Sequence, residues 1–164
     1  MLKTTQTLLF TEIESPLGQL LLLGDDSALK GLYMTEQKHR PPLPQNCERS
    51  DKAFRSIREQ LRAYFAGKLQ EFDVVLDGEG SPFQRRVWRA LLEIPFGETE
   101  SYGALARRIG NEKASRAVGL ANRRNPIGII VPCHRVVGAS GSLTGYGGGV
   151  ARKQWLLEHE RRCA

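Results

Sequence analysis

The run Pro132-Cys133-His134-Arg135-Val136 constrains this chain more than any other feature, because it sets a thiol, an imidazole and a guanidinium inside an otherwise apolar stretch. Ile127-Gly128-Ile129-Ile130-Val131 leads into it and Val136-Val137 leads out, so the polar trio is expected to be carried into the interior. Pro132 withholds a backbone donor and biases Val131 toward extended geometry. Cys133 is therefore expected at the wall of a pocket. The reactive form of cysteine is the thiolate, which a neighbouring base or cation makes available near neutral pH. Consecutive side chains of an extended strand point to opposite faces, so proton transfer between Cys133 and His134 requires a sharp turn or a bridging water. Taken alone, Cys133 reads first as an inert core thiol, as most free cysteines are.

With 164 residues the chain has room for one ordinary domain or two small ones. The opening ten residues lack the basic start and small-residue cleavage site of a secretory signal, and no apolar run approaches the roughly 20 residues of a membrane span, so a soluble cytoplasmic protein is expected. Cys47, Cys133 and Cys163 lie far apart with no Cys-x-x-Cys spacing, which argues for reduced thiols and against a zinc site or a disulfide framework; no metal and no cofactor are expected. The net charge of +6 is unevenly spread. Residues 1–80 hold ten Lys and Arg against twelve Asp and Glu, whereas residues 81–164 hold fourteen against six. A basic half carried by a mildly acidic one reads as a polyanion-facing module on a scaffold.

Residues 8–14, 20–24 and 29–34 read as three short strands of an antiparallel meander, the first two joined by the turn Ser15-Pro16-Leu17-Gly18. Pro41, Pro42 and Pro44 make residues 39–46 a loop. Ser50 is placed to cap a helix carrying Phe54, Ile57, Leu61, Tyr64 and Phe65, with Gly67 as its stop, and residues 72–76 read as a further strand. Asp77-Gly78-Glu79-Gly80 is the expected boundary between a unit at 1–80 and one at 81–164. Ser81-Pro82-Phe83-Gln84 then combines an N-cap, a first-turn proline and a capping-box glutamine, opening a helix to about Glu93 whose buried stripe is Phe83, Val87, Leu91 and Leu92. Residues 101–109, a turn at Asn111-Glu112-Lys113 and residues 114–121 have the outline of a helix-turn-helix. Six glycines crowd into residues 138–149, so that segment is loop, and 139–142 is placed to act as a wing. A last helix starts near Val150. The expected fold class is α+β: a small N-terminal antiparallel sheet with a covering helix, and a mostly helical, winged helix-turn-helix-like C-terminal unit.

Residues 81–160 resemble the active-site domain of the O6-alkylguanine-DNA alkyltransferases, the methylated-DNA-protein-cysteine methyltransferases. The likeness rests on Pro132-Cys133-His134-Arg135-Val136, preceded by Ser115-Arg116-Ala117-Val118-Gly119 and Asn125-Pro126, and followed by Thr144-Gly145-Tyr146-Gly147-Gly148-Gly149 and Trp155-Leu156-Leu157-Glu158-His159-Glu160. The N-terminal half is similar only diffusely, in its strand-rich opening and in Tyr64-Phe65-Ala66-Gly67. Some relatives carry an N-terminal zinc site, for which this chain has no matching Cys and His set.

The resemblance implies that Cys133 accepts an alkyl group from O6 of guanine, and also from O4 of thymine, in double-stranded DNA, once the base has been rotated out of the helix. It implies a water between Cys133 and His134, with Glu160 on the other ring nitrogen; Tyr102 as proton donor to the base; and Asn125 as the brace of the turn beneath the cysteine. Ser115, Arg116, Ala117 and Gly119 would face the minor groove together with Tyr102, with Arg116 filling the space left by the base. Tyr146, Val136, Gly147 and Gly148 would line the substrate pocket. Some relatives have serine where this chain has Gly147, which points to a roomier pocket. A thioether is not readily hydrolysed and no second nucleophile is apparent, so one turnover by a monomer is expected. Two rivals stay open at this point: a DNA-binding regulator, which large base-reading side chains on the second helix would favour, and a turnover hydrolase using Cys133 and His134.

Overall fold

The computed structural model describes residues 7–164, so the first six residues of the opening stretch read for a leader lie outside it. Strands β1 (Leu9–Ile13), β2 (Leu20–Gly24) and β3 (Leu29–Met34) form the expected meander, with Leu9 opposite Gly24 and Ile13 opposite Leu20. The β1–β2 turn closes on a reciprocal pair of backbone bonds between Ser15 and Gly18, and Gly18 takes φ +96°, a conformation that favours glycine. A two-residue strand β4 (Glu48–Arg49) joins β1 in parallel at the end of the proline loop, giving the order β3-β2-β1-β4. Its two exposed polar residues carry no periodic signal.

Residues 72–76 do not form the expected strand. Their alternation is real, with Phe72, Val74 and Leu76 half-buried and Val75 68% exposed, but they meet β3 only at a single bridge between Leu76 and Leu29. The rest of that edge is taken by the segment before the cysteine, where Leu32 N donates to Pro126 O at 2.8 Å and Gly128 N donates to Leu32 O at 3.2 Å. One strand edge thus grips both the inter-half connection and the run that carries Cys133.

Helix α1 (Arg55–Phe65) buries Leu61 and Tyr64 in the core shared with the sheet, beside Phe54 of the turn before it. Ser50 caps not α1 itself but the 3₁₀ turn Lys52–Phe54 that precedes it, accepting from Ala53 N at 3.2 Å. The C-terminus closes as a Schellman motif: Lys68 N donates to Ala63 O, Gly67 N donates to Tyr64 O, and Gly67 has φ +77°.

Helix α2 (Pro82–Leu91) opens on the full capping box, with Ser81 Oγ accepting from Gln84 N at 3.1 Å and Gln84 Oε1 accepting from Ser81 N at 2.9 Å. Leu92, expected in the buried stripe, is 47% exposed, because the helix ends at Leu91 and Leu92 is already its cap. Trp88 takes the inward place and donates its indole N–H to Ala121 O at 2.8 Å. Helices α3 (Tyr102–Arg108) and α4 (Ser115–Arg123) form the helix-turn-helix, joined through a 3₁₀ turn at Glu112–Ala114. A short parallel pair, β5 (Glu100–Ser101) with β6 (Val136–Val137), ties the start of α3 to the residues after the cysteine. The wing at 139–142 takes the form of an exposed turn closed by Gly138 N donating to Ser142 O. Helix α5 (Val150–Cys163) completes the fold. Ile13, Leu22, Leu61 and Tyr64 share one continuous apolar cluster with Val87, Leu105, Val136 and Leu156, so the two halves are packed on a common core. No helix among the described residues is long and apolar enough to cross a membrane.

Candidate active site

The apolar run before Cys133 is buried but is not a strand. Ile130 N donates to Gly128 O, Val131 N to Ile127 O and Cys133 N to Val131 O, so the chain winds through consecutive tight turns. Ile129 has φ +70°, rare for a β-branched residue and costly by about 1–3 kcal/mol. Asn125 holds this winding together: its Oδ1 accepts from Ile127 N at 3.0 Å, and its Nδ2 donates to Val131 O at 2.9 Å and Ile127 O at 3.3 Å. Cys133–Arg135 is a single 3₁₀ turn, with Asn122 Nδ2 donating to Cys133 O at 3.2 Å. The chain thus turns sharply at the trio, one of the two arrangements that proton transfer between Cys133 and His134 allows, and all three side chains are buried.

Glu160, in the last turns of α5, is the hub. Its Oε2 accepts from Tyr64 Oη at 2.6 Å, from His134 Nε2 at 2.7 Å and from Arg135 Nη2 at 2.9 Å; its Oε1 accepts from Arg135 Nε at 2.8 Å and Gly97 N at 3.3 Å. Arg135 also donates to Ile94 O at 2.7 Å and lies over the Phe96 ring. Burial alone would raise the Glu160 carboxyl; the hydrogen bonds and charges of His134 and Arg135 reverse this and hold it well below the usual carboxylate range. Burial pushes the His134 imidazole down against the opposing pull of Glu160. These two shifts compete, since a neutral His134 lends Glu160 no charge; Arg135, charged at any working pH, is the partner that keeps the carboxylate ionised. A neutral His134 that bonds Glu160 must carry its proton on Nε2, which leaves Nδ1 a bare lone pair, and Nδ1 is buried with no hydrogen-bond partner among the described residues.

Lys153 is fully buried and donates to Val136 O at 2.5 Å and Thr144 O at 2.9 Å. Burial pushes its amine down to about 8, against an opposing pull from the Cys133 sulfur. The Cys133 thiol is in turn pushed up by burial and drawn down by Asn125 and by the Lys153 charge. Tyr102 Oη donates to Thr144 O at 2.9 Å, and burial keeps its phenol protonated. Tyr146 and Val136 are buried, and Gly147 and Gly148 are half-buried. Two glycines here are spatially required: a Cβ on Gly148 would lie 2.6 Å from Met34 Sδ, and one on Gly145, at φ +70°, would lie 3.0 Å from Tyr102 Oη. A cleft of about 610 Å³ opens beside this loop, lined by Tyr146, Gly147 and Gly148 together with Lys38, His39 and Arg123. On α4, Ser115, Arg116, Ala117 and Leu120 are exposed along with Arg123 and Arg124, whereas Gly119 is buried against the Tyr102 ring.

The structure thus brings Cys133, His134, Glu160, Asn125, Tyr102, Tyr146 and Val136 to one locale, with the exposed face of α4 alongside. Lys153, Tyr64 and Asn122 were not foreseen as parts of it. A signal for Lys153 existed: residues 153, 156, 157 and 160 fall on one helical stripe, so a Lys and a Glu flank Leu156 and Leu157 on the face that must be buried. His159 is also buried, stacks on Trp155 and bonds Tyr64 O at 2.7 Å.

Residues 82–162 match the family model of the 6-O-methylguanine DNA methyltransferase DNA-binding domain, and residues 8–77 match that of the ribonuclease-like domain of the same proteins. The chain is 58% identical over 153 residues to a methylated-DNA--protein-cysteine methyltransferase of Mycolicibacterium paratuberculosis, covering 93% of this chain and 92% of that protein. It is 54% identical to the protein of that name from Methanosarcina acetivorans, covering 92% and 96%. The crystal structure of Mycobacterium tuberculosis OGT in complex with DNA superposes with a TM-score of 0.91 at 56% identity, covering 95% of this chain and 94% of that one. With two family models spanning nearly its whole length and relatives more than half identical, the chain belongs to the 6-O-methylguanine DNA methyltransferase family.

Proposed function

We propose that this protein repairs DNA by transferring an alkyl group from O6 of guanine to Sγ of Cys133. The observation that carries this reading is the buried Cys133-His134-Glu160 arrangement in a chain of this family, in which His134 keeps a free Nδ1 while Glu160 fixes the opposite nitrogen. The thiol proton leaves through a water to His134 Nδ1; the sulfur attacks the alkyl carbon; the carbon–oxygen bond breaks and its electron pair stays with the guanine. Tyr102, released from Thr144, supplies a proton to the base, so the products are a thioether and unmodified guanine. Lys153 favours the thiolate by its charge. A thioether is not readily hydrolysed, so its formation consumes Cys133 and each molecule acts once.

The reading requires the base to leave the duplex. The basic, exposed face of α4 supports minor-groove docking, with Arg116 entering the vacated space and the small residues Ser115 and Ala117 allowing close approach in a groove about 6 Å wide. On that face Ser115, Ala117 and Leu120 offer no bidentate hydrogen-bonding group to a base edge, and the long polar side chains are arginines that serve phosphate equally well, which disfavours a sequence-specific regulator. The protein works as a monomer on damaged DNA in the reducing cytoplasm.

The test is incubation with a duplex containing O6-methylguanine, followed by peptide mass mapping. One added methyl on the Cys133 peptide, absent in Cys133→Ala, is expected. Several lesions repaired per molecule, or repair with Cys133 unmodified, would overturn the proposal and favour a turnover hydrolase.

A further inference from the structure

The N-terminal half contributes one polar side chain to the interior of the Glu160 hub. Tyr64 is fully buried, lies near the C-terminus of α1, and donates to Glu160 Oε2 at 2.6 Å across 96 residues of sequence. That same oxygen accepts His134 Nε2 at 2.7 Å. The attachment is doubled, because the neighbouring residue His159 bonds the main-chain carbonyl of Tyr64. The ring itself is clamped among Phe65, Phe72, Phe96 and His159, which leaves the phenol little freedom to seek another acceptor.

We propose that Tyr64 is a positioning residue of the transfer reaction: its hydroxyl fixes the Glu160 oxygen that orients His134, so the N-terminal half is part of the proton relay rather than a support for it. This rests on the relay reading of His134 and Glu160 given above. Arg135 does not replace Tyr64, since it spans both carboxylate oxygens from one side and also holds Ile94 O, whereas Tyr64 and His134 converge on Oε2 alone. The phenol also drains charge from Oε2. Without it, that oxygen would hold a protonated imidazole more strongly, and His134 would gain its proton at higher pH. The groups facing the relay are Arg135, Tyr146 and Gly97 N at Glu160, and Arg135 and Lys153 toward His134; none of them changes in this substitution.

Tyr64→Phe removes one oxygen and keeps the ring. Single-turnover transfer from an O6-methylguanine duplex should slow about 10- to 150-fold, the range of a lost hydrogen bond to a charged group, while DNA affinity stays within about twofold. The acid limb of the rate–pH profile should move to higher pH. In a Glu160→Gln background the same change should cost nothing further. A uniform loss with an unmoved limb, or a penalty fully additive with Glu160→Gln, would reduce Tyr64 to a packing residue and overturn the proposal. If Glu160→Gln itself left the rate intact, the relay reading would fall instead, which separates the two. Should Tyr64→Phe not fold, the unmutated protein still decides. The Tyr64 hydroxyl proton should be slow to exchange in NMR spectra and close to the His134 ring protons, and exchange at the solvent rate would refute the assignment.

Discussion

The Glu160 hub and the glycine-rich segment 138–149 both serve the surroundings of Cys133, yet they are built in opposite ways. The hub is a buried carboxylate with five hydrogen-bond donors on it, drawn from α1, from Gly97 and from the active-site turn. The glycine segment has no helix or strand, is largely exposed at 139–142, and is anchored mainly through carbonyls: Thr144 O accepts from Tyr102 and Lys153, and Gly147 O accepts from Lys38 N. Under the proposed mechanism the hub serves a proton relay, which depends on angles and distances held to a fraction of an ångström and so favours over-determined members. Admission of a bulky base, which the same proposal assigns to the glycine segment, would require backbone close to the ligand and room to adapt, which glycine supplies. The difference teaches where each kind of mutation will register: in stability and proton transfer for the hub, in substrate handling for the loop and α4.

The largest expected effect comes from breaking the hub. Arg135→Met would leave Glu160 ionisable and buried without its permanent cation, and should destabilise the protein by about 3–5 kcal/mol in chemical denaturation. Acid probes the same point without mutation. Glu160 has a folded pKa below its unfolded one, so its contribution is complete above the unfolded carboxyl range and is lost as pH falls toward the folded value. His134, also lowered on folding, acts in the same direction from about pH 6.5 downward. In both cases the unfolded chain binds more protons, so stability should fall on acidification. Glu160→Gln should flatten the lower part of that fall, and an unchanged pH dependence in the variant would show that the hub does not govern acid stability.

Asn125 mediates between the rigid and adaptable regions, and its loss should cost less. Asn125→Ala strips the only hydrogen-bond partner seen among the described residues for the buried Ile127 N, whereas Ile127 O and Val131 O keep backbone donors. The penalty should be about 1–3 kcal/mol, that of one orphaned buried donor, together with slower transfer as the Cys133 turn loosens. A loss in transfer without any loss in stability would mean that Asn125 acts on the substrate instead of the turn.

How far these regions could be read from sequence follows the same division. The capping box at Ser81, the meander, the Gly67 stop and the helix-turn-helix are local devices, and local devices are written in adjacent residues. The Cys133-His134-Glu160 set was legible through the family resemblance. Tyr64 was not, because its partner lies 96 residues away and its own helical spacing already accounts for its burial. Lys153 was overlooked although the stripe it shares with Leu156 and Leu157 marks it as inward-facing. The strand read at residues 72–76 failed for a reason no local pattern encodes, since the edge it would occupy is shared with residues 126–128.

Arg116 gives the smallest effect on stability and the sharpest view of the exposed side of the comparison. It stands on the open face of α4 and makes no ion pair or hydrogen bond among the described residues, so Arg116→Ala should leave unfolding within about 0.5 kcal/mol of the parent. If it enters the duplex or meets phosphate, its removal should reduce the dependence of DNA affinity on salt, by up to about 0.9 in the log–log slope for one neutralised phosphate. Placement in the space of the extruded base makes a further demand. Transfer from duplex DNA should slow markedly, while transfer from a free O6-alkylguanine base, which needs no extrusion, should not change. Equal slowing on both substrates would instead put Arg116 in contact with the Cys133 pocket, from which the exposed face of α4 is separated by the buried Gly119 and the Tyr102 ring.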